Sequence, residues 1–565
     1  MCAYTVWLFL CVCALAYAQE ELRVNTTQGV VVGQRVQDGD YLAFFGIHYG
    51  GDTSGENRFK APTPPPIYSG DFYAVNNTTL CAQPSSSGII GTEDCLVLNI
   101  HTKNLATPKP VIVWIDGEEY ASTGNFYPFK NLVEQDLVVV SMNYRLSIFG
   151  FLCLGVTDAP GNAGLKDIIQ GLKWIKENIA GFGGDPNNVV LFGHGSGAAL
   201  VDLITLSPMS TNLTHKAIVI SGSGLSPWAV SYNPVGSAQR VGDRLGHPDT
   251  SRKDLAKKLA STDIRLLSPI LRDFESYDTS LLFAPCVENA DLNPSDTFLA
   301  NTPISILKSG NYNKIPYMTG FVDREGTLRT RQVFNGWLHK MNKTFTDFIP
   351  VDLSFETDEI KEAVSRNVSA FYFDQKPISM NTIEEYLNYH GDVLILVPVL
   401  RGAHERARTS EDVWLFKFTY RGTQNSDWEY PEIPLDGARH GAILNFVFNY
   451  DLKPVDSTAT VALTERFRAF AYTGIPNRPS DKEVLWEQQT PTRRSALLIG
   501  GGEPSTNVPI YEEASTINLN QETAVFWDDL FTKYYVPPSP VSAANSLLSF
   551  GLVVLIAQVL LKSFY

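Results

Sequence analysis

The sequence predicts an α/β protein: a large mixed but mostly parallel sheet flanked by helices. Three observations carry that prediction. Short β-branched runs alternate with stretches of helical periodicity, the pattern of strands joined by crossover helices. The 565 residues are 44% apolar and 11% aromatic with only 19% charged, a composition that buries a core and excludes disorder as the main state. No internal repeat and no composition shift divides residues 19–535, so one domain accounts for that region.

In chain order the strand candidates are 111–115 (VIVWI), 137–144 (LVVVSMNY), 188–192 (NVVLF), 216–221 (KAIVIS) and 413–420 (VWLFKFTY), all rich in β-branched or aromatic residues. Between the second and third lies AGLKDIIQGLKWIKENI, whose Leu165, Ile168, Ile169, Leu172, Ile175 and Ile179 recur at helical spacing. Near the end, QETAVFWDDLFTKYY sets Trp527, Leu530, Phe531 and Tyr534 at i, i+3, i+4 and i+7, one apolar helical face.

Both termini read as targeting segments. Residues 1–18 hold an apolar run, VWLFLCVCAL, followed by Ala16-Tyr17-Ala18, a signal peptide with its cleavage site and a mature start at Gln19. No Lys or Arg precedes the run, so the α-amino group supplies the positive charge. Residues 536–546 form a Pro/Ser-rich stalk and 547–565 a hydrophobic tail, short of the roughly 20 residues that span a membrane comfortably. Small residues at Ser542, Ala543 and Ala544 before a spacer and an apolar end match a glycolipid-anchor signal, with attachment at Ser542. The alternative is a short tail span.

Of seven cysteines, Cys2, Cys11 and Cys13 leave with the leader. Cys81 and Cys95 enclose a flexible loop, QPSSSGIIGTED, that is able to close a bridge worth about 3 kcal/mol in the chain-entropy model. Cys153 and Cys286 sit in apolar surroundings, FLCLG and LLFAPCVE, and are expected to be buried free thiols. Sequons at Asn25, Asn76, Asn77, Asn212, Asn342 and Asn367 fit a glycosylated surface, with the adjacent Asn76 and Asn77 not both used. Lys plus Arg number 45 against 60 Asp plus Glu, a formal charge of −15 that opposes a phosphate backbone and excludes nucleic acid as a partner.

The strand-turn-helix VVLFGHGSGAALVDLITLS stands where an α/β-hydrolase fold places its nucleophile elbow. With TEDCLVLNI, NYRLSIFGFL, FGIHYGGDTSGENRFKAP, the run from GNAGLKDIIQ to NVVLFG and AIVISGSGLSPWA, the chain resembles the type-B carboxylesterase and cholinesterase family over residues 19–535. The resemblance implies the α/β-hydrolase fold, a bridge between Cys81 and Cys95, and buried ion pairs of Arg58 with Glu93 and Arg145 with Asp167. It also places the family's G-E-S-A-G elbow on Gly193-His194-Gly195-Ser196-Gly197, with Gly195 at the nucleophile position. Glu325 in GFVDREGT and His440 in DGARHGAILNFVF match the acid and the base.

The oxyanion-hole positions fall on Gly117, Glu118, Glu119 and Ser196. Active members have H-G-G-G-F where this chain reads Asp116-Gly117-Glu118-Glu119-Tyr120. Losing one oxyanion donor costs about 10²- to 10³-fold, losing a nucleophile about 10⁶-fold, and two carboxylates there would repel an oxyanion. Ser196 fails the spacing test as a replacement nucleophile and is expected to start the following helix. Asp116, Glu118, Glu119, Glu325 and His440 share no metal-ligand spacing, so no metal and no cofactor are expected.

On these residues no triad is intact, and the expected function is that of a non-enzymatic cell-surface adhesion or recognition glycoprotein, similar to neuroligin, neurotactin, gliotactin and glutactin. Its partner would be an extracellular or cell-surface protein. A homodimer through the C-terminal helix and membrane attachment through the tail are part of that expectation. The alternative is a divergent carboxylesterase or a small-ligand-binding homologue, separated from adhesion by an ester hydrolysis assay.

Overall fold

The computed structural model describes residues 22–36, 40–124, 127–423, 430, 432–433, 435–448, 453–481, 485–500 and 510–542. The expected signal peptide (1–18) and hydrophobic tail (547–565) lie outside the described residues. Among the described residues, strands β1 (Gln34–Arg35), β2 (Leu42–His48), β3 (Val97–Thr102), β4 (Lys109–Ile115), β5 (Val138–Met142), β6 (Gly184–His194), β7 (Lys216–Ile220), β8 (Tyr317–Val322), β9 (Val413–Phe418), β10 (Ser495–Gly500) and β11 (Glu512–Ile517) form an 11-stranded sheet. Its spatial order is β11-β10-β9-β8-β7-β6-β4-β5-β3-β2-β1. From β10 to β5 every neighbour is parallel, while β11 at one edge and β3, β2 and β1 at the other pair antiparallel. The α/β-hydrolase sheet expected from the sequence is present, and the five strand candidates correspond to β4, β5, β6, β7 and β9.

Every residue of β4 is buried, because a parallel strand has helices on both faces. Successive side chains alternate between two cores. Val111, Val113 and Ile115 join Leu165, Ile168 and Leu172 of helix α1 (Ala163–Asn178) and Leu200 of helix α2 (Ser196–Leu206). Ile112 and Trp114 face the other way, toward Phe446 of helix α3 (Ala442–Phe448) and Leu463 and Phe467 of helix α4 (Ser457–Thr473).

Arg145 is clamped to Asp167 of α1 at 2.6 Å with both side chains buried, and its Nη1 donates to the carbonyls of Asn57 and Arg58 at 3.3 and 3.2 Å. Arg58 pairs with Glu93 at 2.6 Å. Both expected ion pairs therefore tie loops to the body. The apolar face of helix α5 (Gln521–Tyr534) turns inward: Trp527 and Leu530 are buried, and the Trp527 indole N–H donates to the Tyr372 hydroxyl at 2.8 Å.

Cys81 and Cys95 are bonded as expected. The expectation of free thiols at Cys153 and Cys286 is corrected, since these two also form a disulfide, across 133 residues. The tertiary fold brings them together through Asn162, whose amide donates to the Cys286 carbonyl and whose carbonyl accepts from the Cys286 N–H, both at 2.9 Å. Gly161, with φ +114, makes the room, for a Cβ there would stand 2.6 and 2.7 Å from the two sulfurs. Among the described residues no helix is long and apolar enough to cross a membrane. Asn25, Asn76, Asn212, Asn342 and Asn367 are exposed and Asn77 is half-buried.

Candidate active site

The C-terminal ends of the parallel strands converge on the turn between β6 and α2. Gly195 links His194, the last residue of β6, to Ser196, the first of α2, with φ 57 and ψ −122. This is the positive-φ turn that glycine adopts without penalty. The backbones around it are in near contact: a Cβ on Gly197 would lie 2.2 Å from the Ile115 carbonyl oxygen, and one on Gly222 2.2 Å from that of Gly195. A Cβ on Gly195 itself would meet His440 Nε2 at 3.5 Å. The side-chain direction at 195 is thus the direction of the base, as the nucleophile position requires.

His440 and Glu325 are joined as the resemblance implies. His440 Nδ1 lies 2.6 Å from Glu325 Oε2, and with a carboxylate as acceptor the proton sits on Nδ1 and leaves Nε2 as a lone-pair base. Glu325 is buried, and its other oxygen accepts from the Ser221 hydroxyl at 2.6 Å and the Val322 N–H at 2.8 Å. The His440 backbone N–H donates to Thr327 Oγ1 at 2.9 Å. These contacts hold the base in one orientation.

The oxyanion loop keeps Gly117 but carries Glu118 and Glu119 after it. Glu119 and Tyr120 have φ of 50 and 58, a conformation that costs a non-glycine residue about 1–3 kcal/mol. The Glu118 N–H donates to the Ser122 carbonyl at 2.9 Å, so this donor is spent within the loop. Glu119 is tied to Arg329 at 2.8 Å. The expectation that both carboxylates would repel an oxyanion is therefore revised, since a guanidinium compensates the charge of Glu119. Ser196 starts α2, as expected, and its buried Oγ accepts from the Tyr120 N–H at 3.3 Å. Gly117 admits no side chain, because a Cβ would come within 2.6 Å of the Tyr144 hydroxyl.

Gly117, Glu118, Glu119, Gly195, Ser196 and His440 line a cavity of about 330 Å³ whose apolar walls include Trp228, Leu281, Leu328, Leu394 and Leu444, large enough for a small organic ligand. His194, which the sequence marks only as a departure from the elbow pattern, lies tilted against His440 with ring centroids 4.6 Å apart. Burial and the neighbouring imidazole push its pKa well down, and its Nε2 is buried without a hydrogen-bond partner. Among the described residues no three His, Cys, Asp or Glu side chains form a group able to hold a metal ion. Sequence reasoning missed Ser221 and Arg329. The small-residue run SGSG after a strand and the position of Arg329 one turn beyond Glu325 are the only local signals of either.

Asp116, at the end of β4, accepts from the Gly124 N–H at 2.8 Å and from the Tyr127 hydroxyl at 2.9 Å. Burial outweighs those bonds and raises its pKa from 3.8 to about 6. Between those values the folded state holds a proton that the unfolded chain has released, so stability declines as pH rises through that window. Asp116→Asn should remove this part of the decline. Urea unfolding of both proteins across the window measures it, and identical slopes would show that the carboxyl does not titrate there.

The sequence matches the family described as "Carboxylesterase family" over residues 20–517. Among similar proteins, venom carboxylesterase-6 of Apis mellifera is 29% identical over 80% of this chain and 86% of its own length. Juvenile hormone esterase of Tribolium castaneum is 30% identical over 74% and 76%. The crystal structure of juvenile hormone esterase from Manduca sexta, with OTFP covalently attached, superposes with a TM-score of 0.80 at 25% identity, covering 91% of this chain and all of that one. These findings overturn the expectation of a non-catalytic adhesion protein that is no enzyme: the relatives bear esterase names, and the solved neighbour is an esterase captured with a covalent ligand. The seryl hydroxyl is absent, as the sequence showed, but the His440–Glu325 pair and the cavity beside Gly195 are retained. By the extent of the match and the likeness in fold, this chain belongs to the carboxylesterase family.

Proposed function

We propose that this protein is a divergent carboxylic ester hydrolase in which His440, oriented by Glu325, acts as general base on water. The observation that carries the reading is the pairing of an intact base and acid with the space beside Gly195, where the imidazole Nε2 faces the cavity instead of a seryl hydroxyl. A water oxygen bonded to Nε2 stands where the seryl oxygen stands in relatives that have one. It attacks the ester carbonyl carbon as its proton passes to Nε2, and the tetrahedral adduct expels the alkoxide, which takes that proton back. General-base assistance is worth about 10²- to 10⁴-fold, and the N-terminus of α2 offers its positive dipole end to the developing oxyanion. The apolar walls favour esters with aliphatic or aromatic acyl groups.

The two disulfides accord with a secreted chain. Cleavage before Gln19, glycans on the exposed sequons and a glycolipid attached at Ser542 complete this reading of its location.

The test is hydrolysis of p-nitrophenyl acetate and butyrate by the purified glycoprotein. His440→Ala is expected to lower the rate above background by about 10²-fold or more, and a serine-directed phosphonate should leave it unchanged. A rate equal in His440→Ala, or none above buffer, would overturn the hydrolase reading. Inactivation by the phosphonate with a label on Ser196 would replace water by that hydroxyl.

A further inference from the structure

We propose that a second cavity, beside the N-terminal end of β10 and separate from the active site, binds a small organic molecule that carries a doubly charged phosphate group. The site does not depend on the reaction at His440.

This cavity has a volume of about 600 Å³ against about 330 Å³ at the active site, and the two share no lining residue. It lies between the helix Val397–Ala407, helix α5 and Arg494, the residue before β10. Leu394 and Ile395 line the active cavity, and from Val397 onward the same helical run lines the second one.

Its charges do not balance. Lys308, Arg401, Arg408 and Arg494 line it against Glu405 and Asp528, in a chain whose formal charge is −15. Burial, and after it Arg494, lowers the pKa of the His404 imidazole, which therefore adds no charge at neutral pH and leaves two positive charges over. Arg494 faces Asp528 at 3.8 Å, while among the described residues Lys308, Arg401 and Arg408 take part in no ion pair. The Arg401 guanidinium is held between the rings of Phe531 and Tyr535, 4.3 and 4.2 Å from their centres, and its Nη1 is buried without a hydrogen-bond partner. A cation withdrawn from water in this way is stabilised by an anion brought beside it.

Helix α5 adds a second source of positive potential. Gln521 and Ala524 of its first turn line the cavity, and the Asn520 side chain before them makes no capping bond. The first N–H groups of the helix and its positive dipole end thus stand open to an anion. Guanidinium groups bind the oxygens of a tetrahedral phosphate bidentately, and a phosphate monoester carries about −1.5 to −2 charges at neutral pH, which matches the charge left over. Val397, Leu400 and Leu415 supply apolar surface for the organic part.

The test is isothermal titration calorimetry of the full mature protein with phenyl phosphate. One molecule should bind per chain, more weakly in high salt. Phenyl sulfate, of the same shape with one charge, should bind about tenfold more weakly, and inorganic phosphate, without the ring, also about tenfold more weakly. Arg401→Gln should weaken phenyl phosphate about tenfold. Arg408→Ala, an exposed position that folding does not need, should weaken it about fivefold and keeps the test decisive if the Arg401 variant does not fold. His440→Ala should bind as the parent protein does. Absence of phenyl phosphate binding, or phenyl sulfate bound equally well, would overturn the proposal. So would an affinity that His440→Ala lowers and the arginine variants leave intact, since the anion would then sit in the active cavity.

Discussion

Gly195→Ser is expected to raise ester turnover by about 10³-fold and to create a site for covalent serine reagents. The base and acid that a serine needs are in place, with Nε2 3.5 Å from the Cβ that the substitution adds and Nδ1 held by Glu325. The positive φ at 195 is the strained turn in which elbow nucleophiles stand, and the glycines around it already admit the turn. A nucleophile is worth about 10⁶-fold. The Glu118 N–H, spent on Ser122, withholds one oxyanion donor and so divides this by about 10²- to 10³-fold, which leaves a gain of at least about 10³-fold. Adding Glu118→Gly should recover part of the remainder by freeing the loop. Burst kinetics and stoichiometric phosphonylation measure the effect, and a variant that neither labels nor accelerates would show that the dyad is misplaced for catalysis.

Removal of the Cys153–Cys286 bond is the stability change with the largest expected effect. Its loop spans 133 residues against 14 for Cys81–Cys95. In the chain-entropy model the longer loop contributes about 5 kcal/mol and the shorter about 3 kcal/mol. The sulfurs also pack against Val541 in a small cluster of their own, beside Gly161, so truncation leaves an unfilled site. The double variant Cys153→Ala, Cys286→Ala should therefore unfold at lower denaturant than Cys81→Ala, Cys95→Ala. Denaturant titration of both variants, each normalised to the parent protein, decides the order. Equal midpoints would show that the 133-residue loop is already restricted in the unfolded chain.

The centre of the sheet was legible in the sequence because β4, β5, β6 and β7 are buried on both faces and read as unbroken β-branched runs. Beyond β9, which the sequence also marks, β2, β3 and β8 were not legible, since their runs are interrupted: Gly46 in β2, Asn99 and His101 in β3, Gly320 in β8. Gly320 is there because a Cβ would come within 2.4 Å of the Phe416 ring on the neighbouring strand, a demand of the sheet that no local pattern announces. The residues of the site were legible where a motif names them. Gly195, Glu325 and His440 follow from order and spacing, and the structure brings all three together.

By itself the sequence determined the fold class, the Cys81–Cys95 bridge, the positions of base and acid, and the loss of the seryl hydroxyl. Each of these depends on neighbours in the chain or on motifs in fixed order. Tertiary structure alone decided that Cys153 meets Cys286, that Ser221 supports Glu325, that Arg329 neutralises Glu119 across 210 residues, and that His194 lies against His440. The physical reason is common to all four. Contacts between distant segments are set by the order in which strands pair and by the turns that leave their C-terminal ends, and a side chain's charge or reactivity is fixed by what those turns place beside it.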